Sequence, residues 1–234
     1  MKLSRRLGAI AAYIPDGAAV ADIGTDHAFL PAFLAREKDC RRIIATEVNA
    51  GPFGRAVETV NRYGVGEAVE LRMGDGLTVL RSGEADIVVI AGIGGTTTVD
   101  ILEAGLAALS EAKRLVLQPM GGGEVVRRWL AENSYRIVAE NLVKEDGRFY
   151  EIIVAEPGEA EPGRDIQYVV GPRLLAERHP LLAEYLTEIA THAEQVLLQL
   201  GNTDRADVAA RREELAARIR EIREVIACLQ ASRP

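Results

Sequence analysis

Five times along this chain, a short apolar run with strand character is followed by a segment with helical spacing, and then the alternation stops. Residues 18–23, 41–46, 69–73, 86–91 and 114–117 read as strands. Residues 28–36, 51–63, 77–81, 98–110 and 124–133 read as the helices that follow them. Such alternation implies a parallel sheet, because parallel strands need a crossover and a helix supplies it. Asp86-Ile87-Val88-Val89-Ile90-Ala91 is the clearest strand, with the continuous apolar run of one buried on both faces. After Trp129, a residue read as core, the rhythm changes: 135–143 and 149–155 are two strands joined through Asp146-Gly147. That dipeptide marks a hairpin rather than a sixth crossover. The fold class is therefore α/β, an open parallel sheet ending in an antiparallel pair.

Ahead of the first strand, Leu3, Leu7, Ile10, Ala11 and Ile14 recur at helical spacing, with Ser4 as cap and Arg5 and Arg6 facing solvent. After the hairpin, the Pro/Gly-rich stretch 156–163 reads as a boundary. Beyond it, Leu182, Leu186, Ile189, Ala193, Val196 and Leu200 keep a 4-3 spacing, and residues 201–204 break it. Val208, Leu215, Ile219, Ile222, Ile226 and Leu229 resume it, with Arg212 in one expected apolar slot. Two heptad helices with a short turn between them read as an antiparallel coiled-coil hairpin. The reading is thus two domains, 1–160 and 170–234. With 48% hydrophobic and 27% charged residues the chain suits a globular protein rather than a disordered one. No run reaches the ~18 apolar residues of a membrane span, and no secretory signal is read at the start. Cys40 and Cys228 are far apart, so a reducing cytoplasm is the expectation. The three histidines show no zinc spacing. A net charge of −7 argues for no nucleic-acid partner but excludes none, since a local basic face suffices.

Chemistry concentrates in Val20-Ala21-Asp22-Ile23-Gly24-Thr25-Asp26-His27, where the first strand gives way to a turn. In an open α/β sheet, ligands bind beyond the carboxyl ends of the strands. Glu47 closes strand two, and an acid there can take both hydroxyls of a ribose. Asp75 closes strand three, where an acid can accept from an adenine amino group. The pattern D-I-G-T-D-H is not G-x-G-x-x-G, so a dinucleotide is not encoded. A rim of acids suits the ammonium and sulfonium of S-adenosylmethionine and repels a pyrophosphate. The terminal hairpin agrees, since it belongs to the Rossmann-like class I methyltransferase variant of the sheet. The candidate cofactor residues are Asp22, Gly24, Thr25, Glu47, Asp75, Gly76, Gly92 and Gln118; Gln118 either orients a ligand or caps the next loop.

Strand four ends in Ala91-Gly92-Ile93-Gly94-Gly95, without the Asn/Asp-Pro-Pro-aromatic motif of enzymes that methylate an exocyclic amine. Small residues leave room for a flat base whose ring nitrogen already has a lone pair. Methylation makes that base cationic, and a carboxylate nearby would stabilise it. Asp26 is the candidate, or else a helix cap. His27 beside it is a second candidate or a structural histidine, and Phe29 either stacks on a base or packs in the core. Arg5, Arg6, Arg36, Lys38, Arg41 and Arg42 are candidate phosphate contacts. Two rival readings stay open: a methyltransferase on a small molecule or protein, and a non-catalytic cofactor-fold module.

The segments L-S-R-R-L (3–7), A-D-I-G-T-D-H-A (21–28), E-V-N-A-G-P-F (47–53), G-D-G-L (74–77), I-A-G-I-G-G (90–95), I-L-E-A-G (101–105), L-Q-P (117–119) and E-D-G-R-F-Y-E (145–151) resemble the bacterial tRNA (adenine-22-N1)-methyltransferase family, TrmK-like. The resemblance covers nearly the whole first domain. It implies methyl transfer from S-adenosylmethionine to N1 of an adenine in the D-loop region of tRNA; no metal is expected, on the histidine spacing above. It also implies cofactor contacts at Asp22, Gly24, Glu47, Asp75 and Gly76, and a target-base pocket lined by Asp26, His27 and Phe29. Where the family often has tyrosine after His-Ala, this chain has Phe29 and no hydroxyl.

Overall fold

The computed structural model describes residues 1–160, 163–200 and 206–231. The chain opens with helix α1 (Arg5–Ala11), capped by the Ser4 hydroxyl, which accepts from the Leu7 N–H at 3.2 Å. Alternation then sets in: β1 (Ala19–Ile23), α2 (Phe29–Glu37), β2 (Arg42–Glu47), α3 (Ala50–Arg62) and β3 (Val69–Met73). A single 3-10 turn (Gly76–Val79) stands where the sequence suggests a short helix at 77–81. Next come β4 (Ile87–Ile93), α4 (Gly95–Ala104) and α5 (Leu106–Leu109). The helix expected over 98–110 is thus two. Gly105 lies against Leu77, whose Cβ would come within 2.2 Å of any side chain there, and the chain turns at that contact. The unit closes with β5 (Arg114–Pro119), α6 (Gly123–Glu132), β6 (Tyr135–Glu145) and β7 (Arg148–Pro157). The last two strands form the expected hairpin but run longer, and β7 extends into the stretch read as a boundary.

The seven strands lie in the order β3-β2-β1-β4-β5-β7-β6, parallel except for β7, which is antiparallel to both β5 and β6. This is a Rossmann-like methyltransferase sheet. Apolar side chains cover both faces. Val20, Ile43, Val89 and Val116 pack against α1, α2 and α3, whereas Ile23, Ile44, Val88, Ile90 and Leu117 face Leu102, Val126, Trp129 and Leu130. Trp129 is buried and stacked on Tyr135, as a core reading requires. Deep between α6 and the hairpin, the guanidinium of Arg127, itself buried, bonds Glu140 at 2.6 Å and Glu151 at 2.5 Å. Because the five parallel strands all end on one edge, their loops converge there. The β6–β7 tip projects past that same edge, since β7 runs against β5.

Clustering of contacts divides the chain into Met1–Pro162 and Gly163–Pro234. The second unit contains α7 (Asp165–Val170), α8 (Pro172–Ala176), α9 (Leu182–Gln199) and α10 (Ala206–Ala231). Helices α9 and α10 pack together through Leu182, Leu186, Ala190, Ile219 and Ile222. Arg223 bonds Glu194, and Arg212 reaches the Leu197 carbonyl at 3.3 Å. The expected break at 201–204 lies outside the described residues. Among the described residues, no helix is long and apolar enough to cross a membrane.

Candidate active site

The turn after β1 is held from three sides. Asp22, buried at the strand's end, accepts from the Thr25 hydroxyl at 2.6 Å. The Thr25 N–H reaches across to the Thr46 carbonyl of β2 at 2.9 Å, and the Asp26 N–H donates to Glu47 Oε2 at 3.2 Å. Gly24 takes φ +69°, a conformation that favours glycine, and an added Cβ would lie 2.9 Å from the end of the Ile93 side chain, which would have to shift. Asp26 and Ala28 adopt left-handed backbone as well, at φ 48° and 51°. Helix α2 therefore begins only at Phe29, five residues beyond Gly24, and its first N–H groups do not open directly from the glycine turn.

Glu47 is also pre-set. Its Oε1 accepts from the backbone N–H of Asn49 at 3.0 Å and from the Asn49 side chain at 3.4 Å. These bonds fix the carboxylate and leave its remaining lone pairs facing a cleft of ≈ 380 Å³. Gly24, Asp26, Glu47, Asp75, Gly76 and Ile93 are among the residues lining it. A second cavity of ≈ 200 Å³ is lined by Arg6, Asp22, Asp26, His27, Phe29 and Gly92, with Gly24, Thr25 and Ile93. Gly24, Asp26 and Ile93 line both cavities and form the wall between them.

Asp26 straddles that wall. Its Oδ1 accepts from Arg55 of α3 at 2.6 Å, and its Oδ2 lies 3.5 Å from His27 Nε2. The imidazole stacks flat on Phe29, with centroids 5.2 Å apart and planes within 7°. Phe29 is 38% exposed, so core packing is not its role. The β4 end is shaped by a bulge: pairing to β5 shifts between Ala91 and Ile93, with Gly92 at φ +78° between them. Gly95 then presses on the loop before α6, where a Cβ would come within 2.3 Å of the Gly122 carbonyl oxygen. That close approach is what the A-G-I-G-G run serves.

Burial pushes the Asp22 carboxyl up to about 6, against the Thr25 hydroxyl and Arg6, which both favour its charge. An acid so placed gains from a cation arriving beside it.

Ten of the expected site residues, Asp22, Gly24, Thr25, Asp26, His27, Phe29, Glu47, Asp75, Gly76 and Gly92, line one cavity or the other. Gln118 does not. It is buried, and its side chain accepts from Arg6 at 2.6 Å while donating to the Pro119 carbonyl at 3.0 Å, so it positions Arg6. Arg6 in turn is not simply solvent-facing: it lines the second cavity and lies over the Tyr150 ring at 5.5 Å. Arg41 and Arg42 stand at the start of β2, at the far edge of the sheet. They are paired with Asp86 at 2.7 Å and with Glu70 and Glu84 at 2.8 and 3.2 Å, so they flank no part of the pocket. Lys38 is tied to the Ile14 carbonyl at 2.8 Å, and Arg36 lies over Tyr63. Arg6 and Arg55 carry no local signal for their place in the site. Only the bond to Asp26 at 2.6 Å, across the cleft they both line, sets Arg55 apart from any exposed helix charge.

The sheet order, the terminal hairpin and the acids at adjacent strand ends define a Rossmann-like methyltransferase. The family model for tRNA (adenine(22)-N(1))-methyltransferase matches residues 20–224, and the chain belongs to that family. It is 37% identical over 232 residues to the tRNA (adenine(22)-N(1))-methyltransferase of Bacillus subtilis, covering 97% of this chain and 98% of that one. The crystal structure of the B. subtilis M1A22 tRNA methyltransferase TrmK superposes with a TM-score of 0.88 at 36% identity, over 96% of this chain and 99% of that one. A Streptococcus pneumoniae protein solved in complex with S-adenosyl-L-methionine matches at a TM-score of 0.86 and 33% identity, over 96% and 100% of the two chains.

Proposed function

We propose that this protein transfers a methyl group from S-adenosylmethionine to N1 of adenine 22 in tRNA. The observation that carries the reading is the pair of cavities meeting at Gly24, Asp26 and Ile93, one rimmed by Glu47 and Asp75 and the other by Asp26, His27 and Phe29. Family membership supplies the substrate.

The residues present fit the cofactor. Three acids close three neighbouring strands, and the one cation lining the first cleft, Arg55, is already paired with Asp26. When bound, S-adenosylmethionine supplies an electrophilic methyl group on a sulfonium. Glu47, its geometry fixed by three N–H donors, takes the ribose hydroxyls, and Asp75 takes the adenine amino group. Asp22 and the Gly24 backbone hold the cationic amino-acid end, and Thr25 keeps Asp22 in place.

The target adenine is seated in the second cavity against the Phe29–His27 stack. Its N1 lone pair is available without deprotonation, so no general base is required before attack. As the bond to carbon forms and the carbon–sulfur bond of the donor breaks, positive charge develops on the base, and Asp26 is the carboxylate lining that cavity beside His27. A fixed opposite charge at the place where charge develops lowers the barrier directly. Small residues at Ala91 and Gly92 admit a flat ring and offer nothing that would hold an exocyclic amine. We read the α9–α10 pair as a coiled coil, supported by its heptad stripe. The setting is the cytoplasm, where its tRNA substrate resides.

The test is incubation with labelled cofactor and unmodified tRNA, followed by digestion to nucleosides. N1-methyladenosine forms, and tRNA carrying guanine at position 22 gives none. Absence of N1-methyladenosine with the adenine-22 substrate rejects the assignment.

A further inference from the structure

The first four residues of the E-D-G-R-F-Y-E motif, Glu145 to Arg148, form the tip of the β6–β7 hairpin, outside both cavities. Carried two residues beyond Leu117 and Ile153, the β5–β7 register sets Pro119 level with Glu151. Arg148 is three residues further out, so the tip projects ~10 Å past the carboxyl edge at ~3.3 Å per residue. It therefore overhangs the side of the sheet from which a polynucleotide must approach.

The start of α1 is fastened to this tip. Glu145 accepts from the backbone N–H of Arg5 at 2.6 Å and of Arg6 at 3.4 Å, so its carboxylate is spent on the backbone. Four cations gather around it. Arg6 lies over Tyr150, and Lys144 over Phe149 at 4.9 Å. Arg5 and Arg148 are exposed and make no ion pair with any described residue. Asp146, in the turn, is the one other acid of the tip. In a chain of net charge −7 this is a local cationic face. It is continuous with the second cavity, because Arg6 belongs to both. The contrast with Arg41 and Arg42, each consumed by carboxylates at the opposite edge, is direct.

The geometry points to the hairpin tip and the start of α1 as the surface that holds the RNA backbone, with Arg5 and Arg148 on phosphates flanking the base that enters the second cavity. This rests on the tRNA reading above and names where the tRNA is held. Guanidinium groups free of internal partners suit phosphate oxygens, and aromatic rings with cations above them suit the sugar and base faces beside a phosphate. The partner is RNA rather than an acidic protein, since the face opens onto a pocket shaped for a base.

The experiment measures binding of unmodified tRNA against salt, together with steady-state methylation, for the wild type, Arg5→Glu/Arg148→Glu and the control Arg62→Glu at the end of α3. Cofactor affinity of each variant reports an intact fold. The double variant is expected to bind tRNA at least tenfold more weakly and to raise KM for tRNA to match. Its slope of log affinity against log salt becomes shallower by ~1.4–1.8, at ~0.7–0.9 for each of two phosphate contacts. Its kcat and cofactor affinity stay within twofold of the wild type, and the control matches the wild type throughout. Unchanged tRNA affinity and slope in a double variant that still binds cofactor overturns the proposal, as does a loss equal to that of Arg62→Glu. If the wild type itself neither binds nor methylates tRNA, the tRNA reading fails and this inference falls with it. If the wild type methylates tRNA and the reversals change nothing, only the surface is wrong.

Discussion

The two edges of the sheet both carry acids and cations and use them in opposite ways. At the amino edge a cavity of ≈ 280 Å³ is lined by Asp86, Lys113, Arg114 and Glu156 among others, and these four are all paired. Asp86 bonds Arg41 at 2.7 Å, Lys113 at 3.0 Å and the Ala19 N–H at 3.0 Å; Arg114 bonds Glu156 at 2.6 Å. The carboxyl of Asp86 is held below its usual range, first by the Ala19 N–H and then by its cations. At the carboxyl edge Asp22 is pushed the other way, up to about 6, because burial outweighs its one hydroxyl donor and a more distant Arg6. Glu47 is bonded only by N–H groups that aim it, and it makes no ion pair with any described residue. Acids that finish their bonding inside the protein stabilise it. Acids that are aimed but left short of partners wait for a ligand.

The sharpest break in this comparison is Asp26. Asp26→Ala is expected to lower the single-turnover methylation rate by ~100-fold or more, the scale on which transition-state stabilisers act, while the cofactor Kd stays within about twofold by calorimetry. Loss of cofactor binding instead would make Asp26 a cofactor residue and remove its role toward the base. Glu47→Ala is expected to weaken the cofactor by ~10–100-fold, since a hydrogen bond to a charged group is worth ~1.5–3 kcal/mol, with a smaller effect on the rate at saturating cofactor. An unchanged Kd would show that the aimed carboxylate does not face the ribose.

Asp22 supplies a pH dependence. Its native carboxyl binds a proton more readily than in the unfolded chain, so its ionisation costs stability above about 6, and the cost disappears as pH falls below the usual 3.8. Cofactor affinity should therefore fall as pH drops through about 6. Asp22→Asn should weaken the cofactor yet raise Tm at pH 7, by a free energy of up to ~3 kcal/mol. A lowered Tm would mean that the buried acid is satisfied in a way its contacts do not reveal. The smallest functional effect belongs to the other edge. Asp86→Ala should cost ~1–2 kcal/mol of stability at pH 7 and leave cofactor affinity and methylation unchanged. Since the Asp86 carboxyl is held down in the native state, that difference is present above the usual carboxylate range and fades in acid.

Much of the site was legible because a strand's end is a local fact. Asp22, Glu47 and Asp75 each close an apolar run, and a parallel sheet brings such ends to one edge. Arg5, Arg6, Arg41 and Arg42 were not separable on the same basis. All four are cations beside an apolar segment, yet Arg6 lines the second cavity, Arg5 lies beside the hairpin tip, and Arg41 and Arg42 stand at the far edge. Phe29 was equally ambiguous, since an aromatic at the start of a helix faces either way until the left-handed Asp26 and Ala28 set the helix's entry. The division of α4 from α5 depended on Leu77 lying beneath Gly105, a contact between segments that are far apart in the chain.

By itself, the sequence determined the elements, their alternation, the closing hairpin and the acid at each strand's end, because periodicity and turn chemistry act over a few residues. Only the tertiary structure decided that Gly24, Asp26 and Ile93 are one wall with a cavity on either side. The same is true of Arg6 meeting Gln118 across 112 positions and Arg5 meeting Glu145 across 140. Such pairings depend on strand order and on which loops share an edge. No local spacing encodes them, because the free energy that selects them comes from packing the whole sheet.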